Sequence, residues 1–252
     1  MSGYVGPSAF SLRLVESARL SPTVHNLILE RVDGEAVAFS PGQWVNLLFD
    51  AADPKTGEPL KRAYSIASPP DGPRIELCVT RVEGGAASSA LHALEPGAVL
   101  RATGPHGLFV RPPNDSRPSL FVGTGSGVAP LRSMIAAALR AEPTGAPPLR
   151  LLFGVRSEEQ ILYRSELDEL ARVHPRFRYR VTLSRPDEGW NGARGYVQDH
   201  VADAWSELVA ASEGAPPSAF VCGLERMVRA VRDRLRSELG VDRRRVLYEK
   251  YD

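Results

Sequence analysis

The sequence predicts a two-domain fold, an all-β first half followed by an α/β second half. Three observations carry this. Short alternating apolar runs fill residues 10–110, the rhythm changes at a proline-rich stretch, and strand-like runs then alternate with helical ones. In "QWVNLLFD", Val45, Leu47 and Phe49 share one face, and in "IELCVTRV" Ile75, Leu77 and Val79 do the same. With "VLRATG" and the turn punctuation at "SPGQ", "SPPDGP" and "EPGA", these runs describe a sandwich or barrel. "RPPNDSRP" (111–118) has no periodicity and reads as the linker, giving domains 1–112 and 113–252. Beyond it lie five strand candidates, "SLFVGT", "LRLLFGVR", "FRYRVTLSR", "SAFVCG" and "RRVLYEKY". The helical stretches between them are "APLRSMIAAALRA", "SEEQILYRSELDELARV", "YVQDHVADAWSELVA" and "ERMVRAVRDRLRSEL". In the last, Val228, Val231, Leu235 and Leu239 form one apolar stripe. Such alternation implies a five-stranded parallel sheet with helices on both faces.

Composition narrows the function classes. The chain has 252 residues, 43% hydrophobic and 24% charged, with a net charge of +1, so no bulk charge points to nucleic acid or a membrane surface. No apolar run approaches spanning length, and the first residues lack the basic-then-apolar pattern of a secretory signal. Cys78 and Cys222 are too few for a four-ligand zinc or iron–sulfur cage, so no metal is expected. The expected address is a reducing cytoplasm.

Ligands of open parallel sheets bind at the carboxyl ends of the strands, and three glycine-bearing turns fall there. "GTGSGVAP" places Gly123, Thr124, Gly125 and Gly127 between a strand and a helix, where backbone can approach a phosphate; the same glycines also suit a tight turn. Ala129-Pro130 stands where the usual dinucleotide fingerprint has its third glycine. "VCGLERM" puts Cys222 and Gly223 at a strand end, although a lone cysteine in an apolar strand also serves as inert packing. In "VTLSRPDEGWNGARGYVQ", Ser184, Arg185 and Arg194 offer a hydroxyl and two guanidinium forks to a phosphate monoester, and Tyr196 a face for a base; a solvated loop has the same composition. In the β half, "LKRAYSIASPP" supplies Arg62 for a pyrophosphate, Tyr64 for a planar ring and Ser65 for its edge, while a strand tyrosine also serves as core.

Taken in order, these stretches resemble the ferredoxin–NADP reductases, in which an antiparallel FAD-binding barrel precedes an NADP-binding α/β domain. "RAYSIAS" is similar to the family's Arg-x-Tyr-Ser motif, "LCVTR" to its strand on the adenosine side of FAD, and "GGAASSAL" to its backbone loop on the FAD pyrophosphate. "GPHGLF", "GTGSGVAPLRSM", "GVRSEEQILYRSEL", "LSRPDEGWNGARGYVQ", "CGLERM" and the closing "EKYD" match in sequence order. The resemblance implies FAD contacts from Arg62, Ala63, Tyr64, Ser65, Cys78, Val79, Thr80, Gly85, Ala86, Ala87, Ser88 and Tyr251. For NADP(H) it implies Gly123, Thr124, Gly125, Pro130, Val155, Arg156, Ser184, Arg185, Arg194, Tyr196, Gln198, Cys222, Gly223, Leu224 and Met227. The catalytic set it implies is Ser65 at flavin N5, Cys222 near the nicotinamide, Glu249 as anchor or proton relay, and Tyr251 as a displaceable ring opposite Tyr64. Two departures stand out: Arg226 where the family often has glycine, and Asp252 after the last tyrosine. The implied activity passes hydride between NADP(H) and FAD, and single electrons to a separate ferredoxin or flavodoxin. The arginine-rich "ERMVRAVRDRLRSELGVDRRR" is a candidate dock for an acidic carrier or an ordinary solvated face. Rival readings are a reductase component of an oxygenase or other complex, an NAD(P)H:flavin reductase, and a non-catalytic nucleotide-binding subunit.

Overall fold

The computed structural model describes residues 9–52, 56–112, 114–141 and 146–251. Six antiparallel strands make the first half: β1 (Phe10–Ser21), β2 (Val24–Arg31), β3 (Trp44–Ala52), β4 (Pro59–Ser65), β5 (Arg74–Thr80) and β6 (Val99–His106). Their order is β4-β3-β6-β1-β2-β5. The sheet curls until its two edges meet: Ile66, just past β4, bridges Leu77 of β5, and Ala67 N donates to Glu76 O at 2.8 Å. That closure satisfies edge groups that would otherwise be open to pairing with other chains. Alternate side chains such as Leu12, Leu27, Val45, Leu47, Ile75 and Leu77 fill the interior.

One expectation fails here. "GGAASSAL", read as a backbone loop, folds as helix α1 (Ala86–His92) after Gly85. Alanines and a leucine are good helix formers, and Ala87 and Leu91 have a core face to bury. The proline-rich linker is likewise pinned. The fully buried Arg111 donates to Ser119 Oγ at 3.1 Å and to Asp115 O at 2.7 Å.

The second half contains β7 (Ser119–Thr124), α2 (Val128–Ala141), β8 (Leu149–Val155), α3 (Arg164–Val173), β9 (Phe177–Leu183), β10 (Ala193–Arg194), α4 (Val201–Ala210), β11 (Ser218–Leu224), α5 (Glu225–Asp233) and β12 (Val246–Tyr251). The five anticipated strands are all present and parallel, joined at one edge by the two-residue β10. Alternation along the strands splits the core into two layers. Phe121, Phe153 and Phe220 face α2 and α3, whereas Leu120, Val122 and Val221 face α4 and α5. The stripe on α5 buries Val228 and Val231, and its continuation Leu235 lies in a π-helical turn (Arg234–Glu238), with Leu239 only partly buried.

The strand order β10-β9-β8-β7-β11-β12 reverses at β7. The chain runs outward from β7 through β8 and β9, then returns to its other side for β11 and β12. A crevice therefore opens past the carboxyl ends of β7 and β11, where the direction of winding changes. The barrel packs against this end: Val24, Ala67, Cys78 and Phe109 belong to the same apolar cluster as α2 and α3.

Candidate active site at the seam

A cleft of about 640 Å³ lies along that crevice. Ser21, Thr23, Val24 and Thr80 wall it from the barrel, and the ends of β7, β8 and β11 wall it from the sheet. Of the residues expected for NADP(H), Thr124, Gly125, Val155, Arg156, Ser184, Tyr196, Gln198, Gly223, Leu224 and Met227 line it. Gly123, Pro130, Arg185, Arg194 and Cys222 do not, and each has an identifiable place. Gly123 lies beneath Leu131, and Pro130 is buried in the first turn of α2. Arg185 is exposed beside the cleft, its backbone N–H donating to Arg156 O at 2.8 Å. Arg194 turns back on its own loop, donating to the carbonyls of Asp187, Glu188 and Trp190. Cys222 is fully buried behind the wall.

The glycine turn is shaped by close approach. A Cβ on Gly127 would stand 2.4 Å from Cys222 O, so that position packs directly on β11. Gly125 has φ +53° and nothing within 4 Å of a hypothetical Cβ, leaving its backbone open on the cleft side. Gly223, at φ +146°, would place a Cβ 2.4 Å from Thr124 Oγ1. That hydroxyl is buried with no hydrogen-bond partner among the described residues. Arg156 and Arg226 line the cleft without an ion pair among the described residues, and Tyr196 is 58% exposed at its wall. Bare guanidinium groups, an open glycine turn and an exposed ring fit a phosphorylated dinucleotide.

The chain's end reaches the same place. β12 pairs with β11 in parallel register, setting Glu249 beside Cys222 and Tyr251 beside Leu224. From there the Tyr251 phenol crosses to the barrel and donates to Ser65 Oγ at 2.6 Å. Burial and the neighbouring Cys222 push the Tyr251 phenol well above its ordinary pKa, and burial does the same to the Cys222 thiol. Glu249 is raised to about 7 by desolvation, and its Oε2 is buried without a partner among the described residues. Tyr64, half-buried beside Ser65, is raised to about 12 by burial. No ring contact joins Tyr64 to Tyr251 among the described residues. Of the two, Tyr251 alone reaches Ser65, while Tyr64, its neighbour on β4, packs partly against the barrel interior.

The remaining residues expected at FAD are spread over the barrel. Arg62 and Ala63 are exposed on β4, with Arg62 donating to Lys61 O at 2.8 Å. Cys78 is buried, its thiol raised to about 12 by desolvation, while Thr80 reaches the cleft. Val79 is buried, and its carbonyl meets His92 Nε2 at 2.9 Å. Gly85 and Ala86 lead into α1, and Ala87 is buried. Ser88 Oγ accepts from Val82 N at 3.0 Å and donates to Gly85 O at 3.1 Å, so it braces the turn. Asp252 lies outside the described residues. Ser21, Thr23, Ser126, Gln160, Leu162 and Arg226 line the cleft beyond the expected set. Ser21 at the end of β1 and Thr23 in the turn that follows carry no motif signal, and only packing across the seam brings them to the site.

Comparison with known proteins agrees with this architecture. The oxidoreductase FAD-binding domain family matches residues 11–110, and the oxidoreductase NAD-binding domain family matches residues 121–233. Ferredoxin–NADP reductase B of Sorangium cellulosum is 57% identical over 96% of this chain and 98% of its own length. The phenol 2-monooxygenase reductase component DmpP of Pseudomonas is 35% identical over 71% of this chain, which spans about half (49%) of that longer protein. Among solved structures, the cytochrome b5 reductase domain of Ulva prolifera nitrate reductase superposes with a TM-score of 0.81, covering 99% of this chain and all of that one. At 23% identity that match concerns the fold alone. With both domain families in order and a full-length relative at this identity, the chain belongs to the ferredoxin–NADP reductase family of FAD- and NAD(P)-binding oxidoreductases.

Proposed function

We propose that the protein moves electrons between NADP(H) and a separate one-electron carrier, such as a ferredoxin or flavodoxin, through a FAD held at the seam. The observation that carries this is the Tyr251–Ser65 contact, which ties the last strand of the nucleotide half to the flavin-motif strand of the barrel. Bound there, FAD would supply the conversion between two-electron and one-electron chemistry. Tyr64 and Tyr251 would cover its ring, Ser65 its edge, and Arg62, Ala63, Cys78–Thr80 and Gly85–Ser88 the rest of it. We set the boundary between the halves at 112/113.

The chain's own residues then have distinct tasks. Tyr251 holds the place of the nicotinamide, and its departure frees the Ser65 hydroxyl to donate or accept at the ring edge. Cys222 packs beneath the incoming nicotinamide, and Glu249 holds a proton near neutral pH because burial disfavours its charge. Gly125 and Thr124 receive the pyrophosphate side of the dinucleotide. Ser184, Arg185 and Tyr196 receive its adenosine end, the arginine favouring a 2′-phosphate.

Likeness to the phenol 2-monooxygenase reductase component favours one other reading, service to an oxygenase. Steady-state assays with NADPH against ferredoxin, flavodoxin and ferricyanide separate the two. The proposal expects reduction of a small acidic carrier. Ferricyanide reduction with no transfer to either carrier would refute it in favour of the oxygenase reading.

A further inference from the structure

A buried polar cluster outside the cleft joins the two halves. Arg132, one turn into α2 and only 8% exposed, sends Nη1 to Ala67 O at 3.0 Å and to Glu76 Oε2 at 2.8 Å, both in the barrel. Its Nε donates to Glu166 of α3 at 2.8 Å, and its guanidinium lies 4.4 Å from the centre of the Tyr163 ring. Tyr163 OH donates to Asn26 Oδ1 at 2.9 Å, and Asn26 Nδ2 returns to Glu76 Oε2 at 2.8 Å, so the ring of contacts closes across the seam. The next residue, Ser133, adds a bond from Oγ to Ser68 O at 2.6 Å. Tyr163 holds a left-handed backbone, φ +56°, which a bulky residue adopts only where its surroundings enforce it. Burial alone would lower the Arg132 pKa, but the Glu166 and Glu76 carboxylates more than reverse this, keeping the cation charged.

The position of this cluster gives it a role. Ala67 and Ser68 lie two and three residues beyond Ser65 on the same backbone. Arg132 lies five residues beyond Gly127, which sits so close to β11 that an added Cβ would stand 2.4 Å from Cys222 O. A short path of backbone, hydrogen bonds and one close packing contact therefore runs from the flavin-edge serine, through Arg132 and the start of α2, to the cysteine behind the nicotinamide site. We infer that Arg132, with Glu76 and Ser133, is a positioning group that fixes the spacing between the Ser65 side and the Cys222 side of the reaction site. This rests on the electron-transfer reading above. Misplacement of reacting groups by about 1 Å costs on the order of a hundredfold in rate, so a clasp only a few residues from both sides is well placed to matter.

The test compares Arg132→Lys, Ser133→Ala and, as control, Arg140→Ala, which breaks the exposed cross-seam pair with Asp71. Lysine keeps the charge but loses the fork that reaches Ala67 O and both carboxylates together. Three readouts are taken on the FAD-bound proteins: anaerobic bleaching at saturating NADPH, the Kd for NADP+ by calorimetry, and hydrogen exchange at the amides of residues 66–68. Arg132→Lys is expected to slow bleaching about tenfold to a hundredfold, leave Kd within about twofold, and speed exchange. Ser133→Ala should slow bleaching about threefold, a smaller effect in keeping with the loss of one neutral hydrogen bond, and Arg140→Ala should change nothing. Bleaching at the wild-type rate in Arg132→Lys would overturn the inference. So would a tenfold weaker Kd with unchanged bleaching, since that is a binding defect. Should Arg132→Lys fail to fold, Ser133→Ala decides by the same criteria. If wild-type protein itself is not bleached, the electron-transfer reading falls and the positioning role falls with it; normal bleaching in every variant removes the positioning role alone.

Discussion

Glu249 ties an electrostatic feature of the site to a measurable stability. Its carboxyl is raised from the ordinary 4.5 to about 7 by burial, and one oxygen has no partner among the described residues to offset that burial. The folded protein therefore holds this proton more tightly than the unfolded chain does. No penalty exists below about pH 4.5, it grows through the interval up to 7, and it is fully present above. The shift corresponds to about 3.5 kcal/mol at about 1.4 kcal/mol per pKa unit. Solvent screening of a partly buried side chain reduces this to about 1–2 kcal/mol. Glu249→Gln keeps the shape and removes the charge, so relative to wild type it should gain about 1–2 kcal/mol at pH 8 over its standing at pH 5. Denaturant unfolding of both proteins at the two pH values reads this difference, because titrations common to both cancel. An identical difference at pH 5 and pH 8, or a gain at pH 5 instead, would show that the carboxyl is not desolvated as described.

Two further outcomes follow from the same geometry. Tyr251→Ala vacates the nicotinamide place and should tighten NADP+ binding at least tenfold by calorimetry while slowing product release; unchanged affinity and turnover would count against a displaceable ring. Arg185→Ala should lower kcat/KM for NADPH by about tenfold to a hundredfold, in keeping with loss of a charge-assisted contact of about 1.5–3 kcal/mol, and leave NADH within about twofold. An equal loss for both cofactors would remove Arg185 from the 2′-phosphate.

Much of this fold is written in local pattern. The alternation of Val45, Leu47 and Phe49 marks β3, and the spacing of Val228, Val231 and Leu235 marks the buried side of α5 and its continuation. The glycine turn after β7 announces the cleft because strand, glycines and helix are contiguous. Less legible were the features formed by residues far apart in sequence. Ser65 and Tyr251 lie 186 residues apart, and Asn26 and Tyr163 lie 137 apart, so neither pair leaves a periodic signal. Arg132 carries no motif signal of its own, and only the barrel packed against α2 makes it a buried cation with two carboxylates. Arg194 shows a local contact that the pattern did not announce. Its place in the loop suggests a phosphate clamp, and here its Nη2 donates to three nearby carbonyls. The resemblance implied a loop at "GGAASSAL", whereas Ala87 and Leu91 carry a helix into the core.

The most direct test is the visible spectrum of the purified, desalted protein before and after anaerobic addition of NADPH. A yellow protein carrying one FAD per chain, bleached by one equivalent of NADPH, is the predicted result. A colourless preparation that takes up no FAD, or a yellow one that NADPH leaves unchanged, would contradict it.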